Sequence, residues 1–157
     1  MSKVTATRFH DFSMGHRVAG QGGHCEHLHG HNYRIHFTCE AESGIDSVGR
    51  VIDFSVIKST LCQWLEDNWD HKFVYWEDDP VMNEIIRCFK HNHQGLSHND
   101  IMRSKDSFVA VPFNPTAENM AQYLVVEIAP KLLEGAGVTL VQCVVEETRK
   151  CSAGFHL

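Results

Sequence analysis

His29-Gly30-His31 is the first stretch whose residue types and spacing suggest chemistry. Residues two apart on a strand point to one face, so both imidazoles can converge on a single ion. Positions 29 and 31 share the parity of Tyr33, Ile35 and Phe37, which is the apolar set. Two histidines that continue an apolar face toward a glycine-rich loop imply a lined pocket. A His-x-His pair alone also fits histidines that pack or sit in solvent. His16, at the end of the first strand, is placed to supply a third ligand. Three histidines with an open position form the arrangement of catalytic zinc.

Other candidate groups lie around this pair. Cys25 stands four residues before His29, where a nearby cation favours the reactive thiolate. An inert buried thiol is the reading for Cys39, Cys62 and Cys143. Glu147 ends a strand face formed by Thr139, Val141, Cys143 and Val145. A carboxylate there is costly to bury without a partner. Glu146, on the opposite face, is expected to be solvated. Asp70-His71 is either a surface dipeptide or a carboxylate-oriented imidazole, which is a proton shuttle near neutral pH. Of the twelve histidines, His24, His27, His91, His93 and His98 are expected in exposed loops. A second metal pair at His91-x-His93 is set aside.

The elements that must position these residues are legible from periodicity. Residues 4–12 alternate as a first strand, and Gly20-Gln21-Gly22-Gly23 is a loop. From Asn32 to Ala41 the alternation is complete, so this is a half-buried antiparallel strand. Asp53 caps a helix whose apolar stripe runs through Phe54, Ile57, Leu61, Trp64 and Leu65. A second long helix is expected from Asn114-Pro115, a cap followed by proline at the first helical position. Its stripe is Met120, Tyr123, Leu124 and Ile128. The final strand is placed at 138–148, and residues 77–106 read as an irregular insertion. The order predicts one α+β domain over residues 1–157.

Composition narrows the class. The 157 residues are 43% hydrophobic and 22% charged, enough for a core without disulfide staples. A net charge of −6 argues against non-specific nucleic-acid binding. No apolar run reaches membrane-span length, and Met1-Ser2-Lys3-Val4-Thr5 lacks the apolar core of a signal peptide. Six cysteines without a CxxC pair suit a reducing compartment. The expectation is a cytoplasmic protein with no membrane and no nucleic-acid partner.

The chain resembles the 6-pyruvoyltetrahydropterin synthases and their relatives, the 6-carboxytetrahydropterin synthases. The resemblance rests on Phe12-Ser13-Met14-Gly15-His16, Cys25-Glu26-His27-Leu28-His29-Gly30-His31-Asn32-Tyr33 and Val51-Ile52-Asp53-Phe54. It continues through Trp69-Asp70-His71, Asn114-Pro115-Thr116-Ala117-Glu118-Asn119 and Glu147-Thr148. These pieces span nearly the whole chain, with only the insertion between His71 and Asn114 outside them. Met14-Gly15, where small residues are usual, and the extra Arg149-Lys150 are departures.

The resemblance implies the tunnelling (T-) fold, an antiparallel sheet with two long helices on one face. It also implies a homohexamer, a dimer of trimers with active sites between subunits. Zn²⁺ would be held by His16, His29 and His31. Cys25 would be the base, acting with Asp70 and His71 across a subunit boundary. Glu147 would join the catalytic set by accepting the fork of a pterin's 2-amino and N3 hydrogens. Thr116 and Glu118 match another pterin-side motif, although helix capping also suits them. Arg17 and Lys72 are the basic residues placed to meet a triphosphate. The implied substrate is 7,8-dihydroneopterin triphosphate, converted with loss of triphosphate. In the 6-carboxytetrahydropterin branch acetaldehyde also leaves, giving a precursor of queuosine-type deazapurines. The spacing Cys25-x-x-x-His29 resembles that branch. The alternatives are the 6-pyruvoyl (tetrahydrobiopterin) branch and a non-catalytic zinc- and pterin-binding T-fold protein.

Overall fold

Alternating inward residues build the sheet on which everything else sits. In the computed structural model, residues 3–157 are described; Met1 and Ser2, part of the segment read for a signal peptide, lie outside them. Strand β1 (Thr5–His16) turns Ala6, Phe12, Met14 and His16 inward. Strand β2 (His29–Ala41) pairs with it antiparallel over its whole length, from Thr5 opposite Glu40 to His16 opposite His29. Both strands therefore run further than their alternation predicts, β1 by four residues and β2 by three. The extra residues carry His16, His29 and His31.

The other strands are β3 (Lys72–Trp76), β4 (Phe108–Val111), β5 (Val138–Glu146) and β6 (Ser152–His156). They form one six-stranded sheet in the order β4-β3-β1-β2-β5-β6. The expected antiparallel sheet is present in β1, β2, β5 and β6. The β1–β3 and β3–β4 pairs are parallel, so the sheet as a whole is mixed.

Two composite helices cover the inner face. α1 (Phe54–Ile57) runs through a π turn (Lys58–Cys62) into α2 (Gln63–Asn68). Asp53 caps it as expected, its side chain accepting from Ser55 N. Later come α5 (Ala117–Tyr123), a second π turn (Leu124–Ile128) and α6 (Ala129–Leu132). The cap of this helix is Thr116, not Asn114, because Thr116 Oγ1 accepts from Asn119 N at 3.2 Å. Asn114 instead exchanges two hydrogen bonds with the backbone of Ala19. Ile57, Leu61, Leu65, Met120, Leu124 and Ile128 pack onto the inward strand residues.

Residues 77–106 are not irregular. They hold α3 (Pro80–His91), capped by Asp79, and α4 (His98–Lys105), opened by a Ser97–Asp100 capping box. Their caps were readable, but both segments bury little: Met82 alone in α3 and nothing in α4. α3 does carry an apolar stripe, Met82, Ile85, Ile86 and Phe89, which the reading as an irregular insertion passed over, whereas α4 has only Ile101 and Met102. His91 and His98 therefore lie on helices. None of the helices among the described residues is long and apolar enough to cross a membrane.

Candidate metal centre and cavity

The ends of β1 and β2 bring three imidazoles together. His16 faces His29 across the ladder, and Met14 pairs with His31. One ligand nitrogen from each of His16, His29 and His31 lies within 4.8 Å of the others. Gly30 makes the approach possible, because a Cβ there would stand 2.9 Å from the carbonyl oxygen of Met14.

The hydrogen bonds fix the tautomers. His16 Nδ1 donates to the carbonyl of Pro115 at 2.8 Å, and His29 Nδ1 donates to the carbonyl of His27 at 2.7 Å. Each Nε2 is then bare in the neutral ring, yet the two Nε2 atoms stand 3.0 Å apart. Placing a proton between them would make one ring cationic. Burial, together with the charges of His29 and His31, lowers the His16 pKa to about 4, although the Pro115 hydrogen bond opposes this. His31 is lowered as well, by burial and then by His29. Two facing lone pairs in neutral rings are what a shared cation satisfies. Tetrahedral zinc with bonds near 2.05 Å separates its nitrogens by about 3.3 Å. The donor set fits zinc.

Beside His16 lies a cavity of about 360 Å³ whose walls include Cys25, Thr116, Glu118, Glu147 and Cys151. Cys25 is half-buried on a short 3₁₀ turn (Gly23–Glu26). Glu147 Oε1 is 3.8 Å from His16 Nε2. Burial first, then the charge of Glu118, raise the Glu147 pKa, against an opposing effect of His29. A half-buried carboxylate without a close donor is prepared for a ligand that supplies one. Thr116 lines the cavity while its hydroxyl caps α5; Glu118 is exposed in the first helical turn. The structure thus brings His16, Cys25, Thr116, Glu118 and Glu147 together.

Asp70 and His71 are not in that cavity. They line two others, which meet at Ser13, Asn32 and His71. His71 Nδ1 is 2.9 Å from Asp70 Oδ2, and Asp70 Oδ1 accepts from Ser13 N at 3.1 Å. Burial raises the Asp70 pKa, but hydrogen bonds from His71 and Ser13 outweigh it, so the net shift is downward. His71 is the only described non-glycine residue with positive φ, at 57°, and its side chain is 82% exposed. This left-handed backbone presents an exposed imidazole oriented by the Asp70 carboxylate.

Several expectations need correction. Arg17 is no free anion ligand: it is buried against Asp79. Lys72 has no ion pair among the described residues and lines a cavity with His29, His31 and His71. The β5 parity shifts at a bulge: Thr38 pairs with Gln142 but Cys39 with Leu140. The inward set is therefore Val138, Leu140, Cys143 and Val145, and Glu147 follows the last two. Glu146 is on the opposite face, as expected, but is bonded to His36. Sequence reasoning passed over Tyr33 as a site residue. Its hydroxyl is buried without a partner, and its ring is edge-on to His16 and His31. Burial and the charge of Glu147 push its pKa up. The shared parity of 29, 31 and 33 was the available signal. Cys151 had none, since β6 was not anticipated.

A curled mixed sheet backed by helices on one face, with a histidine cluster at the strand ends, is the architecture of the T-fold. The family model described as 6-pyruvoyl tetrahydropterin synthase matches residues 5–156. The 6-carboxy-5,6,7,8-tetrahydropterin synthase of Rickettsia felis is 33% identical over 148 residues, covering 94% of this chain and 96% of the relative. An uncharacterized protein of Wolinella succinogenes superposes with a TM-score of 0.84 at 24% identity, covering 99% of each chain. The 6-pyruvoyl tetrahydropterin synthase of Caenorhabditis elegans has the same fold, with a TM-score of 0.64 at 21% identity, covering 100% of this chain and 97% of the other. The chain belongs to the 6-pyruvoyl tetrahydropterin synthase family of enzymes.

Proposed function

We propose that this chain converts 7,8-dihydroneopterin triphosphate to 6-carboxy-5,6,7,8-tetrahydropterin, with loss of acetaldehyde and triphosphate, as a cytoplasmic step toward queuosine-type deazapurines. The observation that carries the reading is the junction of the three-histidine cluster with a cavity walled by Cys25 and Glu147. The identity to relatives named for this reaction supports it.

His16, His29 and His31 would hold Zn²⁺, which would supply Lewis-acid chemistry at the oxygens of the substrate side chain. Glu147 accepts the pterin's two ring-edge hydrogens, which compensates a carboxylate otherwise short of donors. Thr116 and Glu118 line the same cavity. Cys25 removes a proton from the side chain as general base. Asp70 and His71 relay that proton from a neighbouring subunit, since they lie outside the Cys25 cavity of their own chain. The proposed assembly is a homohexamer, with each subunit a single T-fold domain and each site shared.

Mass analysis of the products formed from dihydroneopterin triphosphate tests the reading. The expected result is 6-carboxytetrahydropterin with acetaldehyde. Recovery of unchanged substrate by zinc-loaded protein that binds a pterin overturns it in favour of a non-catalytic binder.

A further inference from the structure

Besides the Tyr33 hydroxyl, the polar side chains buried among the described residues include His16, Arg17 and Asp79. His16 belongs to the metal cluster. The other two form an ion pair that the proposed chemistry leaves unused. Arg17 follows His16 at the end of β1 and donates from Nη1 to Asp79 Oδ2. From Nε it donates to the carbonyl of Glu26 at 2.8 Å. Glu26 is the neighbour of Cys25 on the 3₁₀ turn. Asp79 uses its other oxygen to cap α3, accepting from Val81 N at 3.0 Å and Met82 N at 3.4 Å. One guanidinium thus ties the Cys25 turn to the first helix of the insertion.

The turn needs such a tie. None of its four residues is buried, and Gly20 and Gly22 before it and Gly23, its first residue, all have positive φ. A glycine-rich approach with no apolar anchor leaves the backbone loose unless polar contacts hold it. Those contacts are few: Val18 N donates to the Cys25 carbonyl at 2.9 Å, and Gly20 N donates to Glu26 Oε1 at 2.7 Å. The Val18 bond ties the turn to a buried backbone neighbour, and the Arg17 bond is the one made by a side chain that a buried carboxylate also holds. A clamp that only docked α3 would require Asp79 and nothing at Glu26.

We propose that Arg17, oriented by Asp79, is a positioning residue for Cys25, fixing the thiol at the wall of the cavity beside the histidine cluster. The proposal rests on the reading of Cys25 as the base. A planar fork serves two acceptors at a fixed angle, whereas the single ammonium of lysine keeps the charge and loses that geometry. Displacing a catalytic group by about 1 Å costs roughly a hundredfold in rate.

The test uses the zinc-loaded protein with Arg17→Lys, Asp79→Asn and, as a control, Arg87→Ala on the exposed face of α3. Two readouts are taken: kcat and KM, and the rate at which iodoacetamide alkylates Cys25, mapped by mass spectrometry without substrate. For Arg17→Lys the expectation is kcat down about 10-fold or more, KM within about threefold and faster Cys25 alkylation, with zinc content unchanged. Asp79→Asn changes both readouts in the same direction, and Arg87→Ala changes neither. The alkylation arm keeps its meaning if the chemical reading is wrong, because it requires no turnover. If Arg17→Lys fails to fold, Asp79→Asn decides alone. Wild-type kcat and alkylation with only a lowered melting temperature would make the pair a fastener for α3 and overturn the proposal. Loss of zinc in parallel with kcat would assign the pair to the histidines and overturn it too.

Discussion

The carbonyl of Pro115 accepts the Nδ1–H of His16 at 2.8 Å. This bond turns His16 Nε2 toward His29, and it couples the start of the second composite helix to the histidine cluster. A ligand oriented this way resists reorientation, and loss of such outer contacts costs metal affinity about 10- to 100-fold.

Removing a ligand itself is more severe. His29→Ala is expected to lose bound zinc and activity together, measured by metal analysis of the purified protein and by steady-state turnover. His31→Ala should behave alike, whereas changing His24 or His27, both exposed, should leave the zinc stoichiometry unaltered. Full zinc retention by His29→Ala would refute the assignment.

Cys25 and Glu147 are expected to fail differently. Cys25→Ala should lower kcat about 10²- to 10⁴-fold while pterin affinity stays near wild type, because a general base contributes in the transition state. Glu147→Gln cannot accept both hydrogens of the fork and should weaken pterin binding by about 10- to 100-fold, the value of a hydrogen bond to a charged group. Calorimetric titration with a non-reactive pterin separates the two. Unchanged affinity in both variants would remove Glu147 from the binding role.

Much of this site was legible because it lies on regular strands. The parity of 29, 31 and 33 survived intact, since β2 continues its alternation through His29 without a bulge. The parity of 139 to 147 did not, because the bulge opposite Thr38 and Cys39 shifts the face halfway along β5. Period-two reasoning has no local sign of an inserted residue. Asn114 was misassigned as a cap because its side chain is used by Ala19, ninety-five positions away in the chain. The strands β3 and β4 went unseen for a related reason. They are short, with four of the nine residue positions carrying aromatic rings and no clean alternation, and their pairing is parallel and non-local.

Subunit sharing can be tested by complementation. Asp70 and His71 sit away from the Cys25 cavity of their own chain, so Cys25→Ala and His71→Ala should each be inactive as pure assemblies. Co-refolding equal amounts should restore activity to about a quarter of wild type, since each shared site draws one residue from either of two chains at random. No recovery in mixed assemblies of confirmed composition would place both groups in one subunit's site.

The buried thiols predict an alkaline limit to stability. Burial raises the pKa of Cys39 from 9.0 to about 11. The unfolded chain therefore releases this proton first, and between those values the folded state binds more protons. Stability from Cys39 is complete below pH 9 and declines as pH rises toward 11, by about 3 kcal/mol. Cys143, pushed up by burial in the same way, adds to the decline. Urea midpoints between pH 8 and 11 would show it, and Cys39→Val should flatten the curve. An unchanged midpoint across that range in the parent chain would mean these thiols ionise without penalty.

The product is expected, on the proposed role of Cys25, to depend on where the thiol stands. Three residues separate Cys25 from His29, and the segment is held at both ends: Val18 N grips the Cys25 carbonyl, and the His27 carbonyl accepts from His29 Nδ1. Slack in this segment would therefore move Cys25 relative to the histidine cluster. One added residue extends a chain by up to about 3.5 Å, far beyond the roughly 1 Å that costs a hundredfold in rate. On the proposed role of Cys25, loop length is expected to set which side-chain carbon the thiolate reaches, and with it whether the two-carbon fragment departs. Wild-type protein should release acetaldehyde stoichiometrically with 6-carboxytetrahydropterin. Inserting one glycine between Glu26 and His27 should cut acetaldehyde formation by about a hundredfold or more, while zinc content, set by the strand residues, holds. Both products are measured in one experiment by trapping the aldehyde and resolving the pterins chromatographically. Accumulation of 6-pyruvoyltetrahydropterin without acetaldehyde from the wild-type chain would assign it to the 6-pyruvoyl reaction instead.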